Sequence, residues 1–199
     1  SFSISLWYKT SKTGPQSLIS GARTSQFNEL IFWFTSNTRF SPWLKGGTQN
    51  ITTSDISDDE WHHLVWTRSG SSNEFYRDGV LQSGSVSLSS DVLNITSLIL
   101  GQEQDSHGGS FDTSQAVEGL IDELLIFDEK LSQSEINSIF INQTNGLSYA
   151  GDAVVCPEPP VAFLDMRFDE SSWSGTVSEV IDESGNFNGQ SQNGANTAQ

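Results

Sequence analysis

Along most of the chain, large apolar residues alternate with small polar ones at a period of two, the mark of strands with one face in a core. Phe2, Ile4, Leu6 and Tyr8 alternate with Ser3, Ser5, Trp7 and Lys9. After a Gly14-Pro15 turn, residues 17–22 read as a short second strand. Residues 29–35 are almost wholly apolar, as in a central strand, with Leu30, Phe32 and Phe34 on one face and Ile31 and Trp33 on the other. The strand expected over 40–44 carries Pro42, which marks an edge or a bulge. Residues 61–68 alternate again, and Asp78-Gly79 between strand-like runs at 74–77 and 80–82 signals a hairpin. Residues 97–100 and 117–127 complete the pattern.

One helix is expected. Ser132 can cap it while Glu135 reaches back, a capping box ahead of Ile136, Ile139 and Phe140, and the helix should pack on the edge of the sandwich. Many short strands between Gly-rich turns predict an all-β fold, a two-sheet antiparallel jelly-roll sandwich with one short helix. That domain is expected over residues 1–150. A linker over 151–160 follows, containing Cys156, Pro157, Pro159 and Pro160. Beyond it, Ala162, Leu164, Met166 and Phe168 alternate with Phe163, Asp165 and Arg167, which is a strand again.

The aromatic content, six Trp, twelve Phe and three Tyr, is enough to fill a sandwich interior. Nine Lys plus Arg against 25 Asp plus Glu give a net charge of −16. Such a surface repels phosphate backbones, so nucleic acid is not an expected partner, while clustered carboxylates attract hard cations such as calcium. A solvated acidic surface explains most of the excess. No apolar run approaches the length of a membrane span, so no direct span is expected. The first residues read as a folded strand, not as a signal peptide, and the chain is expected to be a piece of a larger protein. A single cysteine cannot form an internal disulfide but can pair with one elsewhere in a parent chain. Sequons at Asn50, Asn94 and Asn142 lean toward secretion.

The run from Leu100 to Gln115 concentrates the candidate chemistry. Glu103, Asp105 and Asp112 are hard oxygen donors, Gln115 adds a neutral carbonyl, and Gly108-Gly109 lets the loop fold back. Calcium takes about six to eight oxygens in such flexible settings. A polar surface loop with chance carboxylates is the plainer reading of the same residues.

Two stretches resemble known families. Trp61-His62-His63-Leu64-Val65-Trp66-Thr67 with Tyr76-Arg77-Asp78-Gly79 resembles a hairpin of the laminin-G-like and pentraxin families. The run Leu100-Gly101-Gln102-Glu103-Gln104-Asp105-Ser106-His107-Gly108-Gly109 through Gln115 resembles the pentraxin calcium loop. The resemblance implies that Glu103 and Asp105 bridge calcium, that the Gln104 backbone carbonyl contributes, that Asp112 and Gln115 complete a second ion, and that Asn28 serves the first. The family's Asp before Asn28 is Phe27 here, and Asp112 stands where the family has Glu, so one ion is better supported than two. The resemblance also implies ligand-binding positions at Trp33, which could equally be core packing, and at Gln49, where the family has an acidic residue. The family's disulfide positions fall at Ser5 and near Val65. The implied function is a calcium-dependent, lectin-like or adhesive module of a secreted or cell-surface protein. Its partners would be a glycan or a phosphorylated small ligand, together with other domains of the parent protein. The tail, with its Asp182-Glu183-Ser184-Gly185-Asn186 turn, resembles the opening of a bacterial laminin-G-like repeat, as in surface proteins associated with mannose-sensitive haemagglutinin pili. It either completes the first domain or starts a truncated second one.

A purely structural spacer is the alternative. A concanavalin-like glycoside hydrolase is a further one, and it needs two carboxylates projecting from one strand face. Asp58 with Glu60 precede a strand, and Asp122 with Glu123 are adjacent and so expected to point to opposite faces. No enzyme is expected on those grounds.

Overall fold

The computed structural model describes residues 1–154 together with 180–181 and 188–189. Contacts divide the chain into two units, Ser1–Val154 and Val155–Gln199. Of the second unit, the described part is one antiparallel ladder, β13 (Val180–Ile181) with β14 (Asn188–Gly189), which follow the elements of the first. The strand expected over 162–168, most of the expected linker and Cys156 lie outside the described residues.

The first unit is a two-sheet antiparallel jelly-roll sandwich. Sheet A has the order β10 (Val80–Ser87), β9 (Ser72–Arg77), β8 (Trp61–Ser69), β1 (Phe2–Thr10), β12 (Gly119–Phe127). Sheet B runs β11 (Ser97–Leu100), β2 (Gln16–Arg23), β3 (Gln26–Ser36), β4 (Arg39–Phe40), β7 (Ile51–Thr52), with β5 (Trp43–Leu44) and β6 (Gly47–Thr48) beside β3. The strand expected over 40–44 is thus two short pieces, because Ser41-Pro42 interrupts the ladder. The strand after the Asp78-Gly79 hairpin is longer than its apolar start suggested. Both turn residues have positive φ, 51° and 77°, the conformation a two-residue hairpin requires.

The alternation fills the core. Ile4, Leu6 and Tyr8 of β1 meet Leu30, Phe32 and Phe34 of β3, and Trp66, Phe40 and Phe75 close around them. Their rings meet mostly edge-to-face, with Phe32 and Trp66 centroids 5.7 Å apart at 81°. Such pairs add about 0.5–1.5 kcal/mol each beyond area burial. The buried Trp66 indole donates to Asn73 Oδ1 at 3.1 Å, and Tyr8 to Gln16 Oε1 at 2.6 Å, so neither polar tip is lost.

The helix, α1 (Gln133–Thr144), has the expected capping box, with Ser132 and Glu135 reciprocating. It packs on the outer face of sheet A and not on the edge, burying Ile136 and Ile139 against Val65 and Tyr76. The outward side of this sheet supplies an apolar strip, Val65, Leu125 and Phe127, that an edge could not. Ser5 and Val65, the positions corresponding to the family disulfide, are register partners across β1 and β8.

A bulge in β12 corrects the reading of Asp122-Glu123. Trp7 pairs with Asp122 and Ser5 with Leu125, so Glu123 and Leu124 together oppose Leu6. Glu123 sits at φ 49°, a left-handed conformation costing about 1–2 kcal/mol. Strict alternation from inward Ile121 would have driven the Glu123 carboxylate into the core. The extra residue instead keeps Ile121 and Leu124 packed inward and leaves both acids exposed.

Candidate functional site

The loop between β11 and β12 is closed at its base by backbone bonds from Gly101 N to Leu18 O, 2.8 Å, and from Val117 N to Gly101 O, 2.9 Å. Its inner anchor is Gln104, whose side chain is fully buried. Oε1 accepts from Ser97 Oγ at 2.9 Å and from Gly108 N at 2.8 Å, and Nε2 donates to Ser20 O at 3.0 Å. This role of the Gln104 side chain was not expected from the sequence, where only its carbonyl was assigned. The outer half is organised by Gln102, which accepts from Glu103 N at 2.8 Å and donates to Asp112 O at 3.0 Å. Asp112 caps a 3₁₀ turn, Thr113–Gln115, by accepting from Ser114 N at 2.9 Å.

These constraints bring Glu103 beside Asn28 of β3. Glu103 is 6% exposed, while Asp105 and Asp112 are exposed. Burial first, and then the Asp105 carboxylate, push the Glu103 carboxyl above the usual glutamate range, with Asp112 adding to the repulsion and a side-chain hydrogen bond from Asn28 opposing it. Glu29, next along β3, is also buried but meets Arg23 at 2.9 Å and Lys45 at 3.5 Å. Glu103 has no ion-pair partner among the described residues.

Two amide oxygens share that condition. Asn28 Oδ1 and Gln115 Oε1 are buried without a hydrogen-bond donor among the described residues. Leaving a buried acceptor unpaired costs about 1–3 kcal/mol, and a hard cation is a partner that satisfies carboxylate and amide oxygens together. The residue types are those calcium takes, Glu103, Asp105 and Asp112 as carboxylates and Asn28 and Gln115 as amides, and of the two amides Asn28 lies beside Glu103. Among the described residues no three His, Cys, Asp or Glu side chains converge as in a preformed metal cluster.

The two assigned ligand-binding positions are not brought into this cluster by any contact. Trp33 is half-buried on the outer side of β3, in register with Ser17. Trp43 pairs with Ile31 on that same side, and its indole Nε1 is buried without an acceptor among the described residues. Sequence reading missed Trp43, although its register, two residues beyond Ser41 beside Trp33, was the available signal. Gln49 is exposed and donates to Ser87 O at 2.7 Å, which commits its amide to β10.

Over residues 1–137 the chain matches the laminin-G-type model of the concanavalin A-like lectin/glucanases superfamily, and it belongs to that superfamily. Within it, the similarity runs to pentraxins. Human neuronal pentraxin-1 is 33% identical over 153 residues, 74% of this chain and 35% of that protein. C-reactive protein of Oryctolagus cuniculus is 33% identical over 147 residues, 72% of this chain and 65% of that protein. The chain thus spans only about a third of the first relative and under two thirds of the second. The heptameric SAP-like pentraxin from Limulus polyphemus matches with a TM-score of 0.63 at 19% identity, over 79% of this chain and 80% of that one, which shows the shared fold.

Proposed function

We propose that residues 1–154 form a calcium-dependent ligand-binding module, lectin-like or adhesive, of an extracellular or cell-surface protein. The observation that carries this reading is Asn28 Oδ1, a buried amide oxygen with no donor among the described residues, beside the repelled Glu103 carboxylate. Gln115 Oε1 is a second such oxygen, in the same loop as Glu103. Calcium bound there would supply an exposed positive centre on a surface that is otherwise strongly acidic. Glu103 and Asn28 would hold it from the buried side, and Asp105 and Asp112 from the exposed side. The ligand class that follows is a glycan or a phosphorylated small molecule whose oxygens complete the ion's shell, with Trp33 offering a flat apolar face. Among the described residues no helix is long and apolar enough to cross a membrane. Attachment to a surface would therefore come from other domains of the parent protein.

The reading is one of binding without catalysis. Asp58, one of the carboxylates weighed for hydrolysis, is held below the usual carboxylate range by its hydrogen bond with His62, the opposite of what a general acid needs. A structural spacer is the second reading, favoured by the absence of three convergent ionisable donors among the described residues.

The test is the thermal unfolding midpoint with millimolar calcium and with chelator, for wild type and Asp105→Ala. A calcium-dependent rise that disappears in the variant supports the module. Superimposable curves for both proteins would leave the spacer as the better account. Binding of glycans and phosphorylated ligands with and without calcium then separates the ligand classes.

A further inference from the structure

Helix α1 covers only part of sheet A's outer face. At its last turn lies a cavity of about 350 Å³, lined by Trp7, Trp61, Asp122, Glu123, Gln143 and Thr144. We propose that this cavity is a second, metal-independent ligand site, and that its ligand is a pyranose ring carrying a protonated amine.

Trp61 is 39% exposed, a large apolar side chain left open to solvent at the rim of a concave site. Trp7 forms the inner wall and is fixed on its other side by stacking on Phe140, 5.8 Å between centroids. Its indole N–H is already committed to Gln143 Oε1 at 2.8 Å, so it offers a ring face and not a donor. Gln143 Nε2 in turn donates to Glu123 Oε2 at 3.1 Å, and Glu123 N donates to Asp122 Oδ1 at 2.8 Å. This chain of bonds holds both carboxylates and leaves one oxygen of each without a partner among the described residues. The bulge is what puts two adjacent acids on one wall, and no Gly or Asn relieves the strain at Glu123.

The charge is one-sided. None of the six lining residues is basic. Lys9, in register with Trp61, turns its amine to Asp59 at 3.7 Å. The helix ends here with no basic residue in its last turn, so its negative pole adds to the two carboxylates. Aromatic faces beside fixed negative charge select a cation with an apolar body: the C–H face of a sugar stacks on indole while an ammonium meets the carboxylates. The size suits one ring. The site stands on the opposite sheet from the calcium loop and shares no residue with it.

The experiment is isothermal calorimetry of the full chain with glucosamine, in chelator, near pH 6 so that the amine is charged. N-acetylglucosamine and glucose are titrated in parallel. Saturable binding of glucosamine is expected, at least about tenfold weaker for the two neutral sugars. Trp61→Ala and Asp122→Asn should each weaken it by about tenfold or more, with unchanged unfolding midpoints showing that the fold is intact. Absence of saturable binding overturns the proposal. So does equal binding of N-acetylglucosamine, or indifference to Trp61→Ala, which would mark a general attraction of cations to an acidic surface. Because chelator is present throughout, failure here says nothing about the calcium loop, and failure of the calcium test says nothing about this cavity.

Discussion

The two sheets share one core, yet their outer faces are finished in different ways. On sheet A the protein completes its own face. α1 covers Val65 and Tyr76, Ser3 Oγ bridges Glu129 O and Leu131 N, and Ser5 Oγ meets His63 Nε2 at 2.8 Å. On sheet B no α-helix among the described residues lies over β2 and β3, and several buried polar atoms have no partner among the described residues: Ser17 Oγ, Ser20 Oγ and Trp43 Nε1 on the outward side, and Asn28 Oδ1 near the start of β3. Sheet A is not free of such atoms, since Thr67 Oγ1 and His63 Nδ1 also lack partners among the described residues. The difference is that one of sheet B's orphans, Asn28 Oδ1, lies beside a carboxylate raised by burial and by neighbouring carboxylates. A face that leaves acceptors buried and negative charges crowded gains from a partner the chain does not supply. On the proposed calcium reading, this contrast would make sheet B the ligand face and sheet A's helix-covered part the structural one.

The largest expected effect tests that assignment directly. Calcium at about a thousand times its dissociation constant should add about 4 kcal/mol to wild-type stability, read as a rise in the unfolding midpoint. Truncation on the covered part of sheet A, such as Phe140→Ala, should leave that increment unchanged while lowering both midpoints. A loss of the increment in Phe140→Ala would break the comparison, because the two faces would then be coupled.

The next effect belongs to sheet A and to acid. His63 is fully buried against the rings of Trp7 and Phe140, 5.4 and 5.9 Å away, and burial lowers its pKa to about 4 from 6.5, against an opposing pull from Asp78. The native state therefore binds fewer protons than the unfolded one, and stability is lost as pH falls from the unfolded value toward the folded one. The loss should approach about 3 kcal/mol between neutral pH and pH 4. His63→Leu should remove this dependence, measured by urea unfolding across the window. His62, its neighbour on the strand, behaves in the opposite sense. Hydrogen bonding to Asp78, and then to Asp58, raises its pKa against burial, so its contribution is present in acid and fades as pH rises.

The legibility of the fold follows from the same physics. Period-two alternation placed β1, β3, β8 and the hairpin because one face of each is buried in a single aromatic core, and burial is what periodicity reports. The capping box was readable because it is local: Ser132 and Glu135 meet within one turn. The bulge was not read, although Ile121 and Leu124, both inward, stand an odd number of residues apart. An odd spacing between inward residues on one strand was the missed signal. At the candidate site, the oxygen donors were visible as residue types. Their burial was not, since Glu103 and Gln104 are buried through contacts with β2 and β3 that lie far away in sequence. The commitment of Gln49 to Ser87 likewise depends on tertiary placement, which spacing along the chain does not encode.

A smaller effect sharpens what the protein supplies for itself. Ser132→Ala removes the side-chain half of the capping box and should cost about 1 kcal/mol, measured by chemical denaturation. The calcium increment should be the same as in wild type, because the cap serves only the helix side.

The smallest effect is the most telling, because its sign should reverse with the metal. The Glu103 carboxyl is raised above its unfolded value of 4.5, mainly by burial, so the native state binds more protons than the unfolded one across that interval. Metal-free stability should fall as pH rises from the unfolded value through the folded one. Glu103→Gln keeps the shape, removes the charge and abolishes that slope. In chelator at neutral pH the variant should therefore be slightly more stable than wild type. In calcium it should be less stable, because the ion has lost a carboxylate from its buried side. A variant that is stabilised equally with and without calcium would mean that the repulsion at Glu103 is only a cost of folding, and the contrast between the two faces would lose its functional meaning.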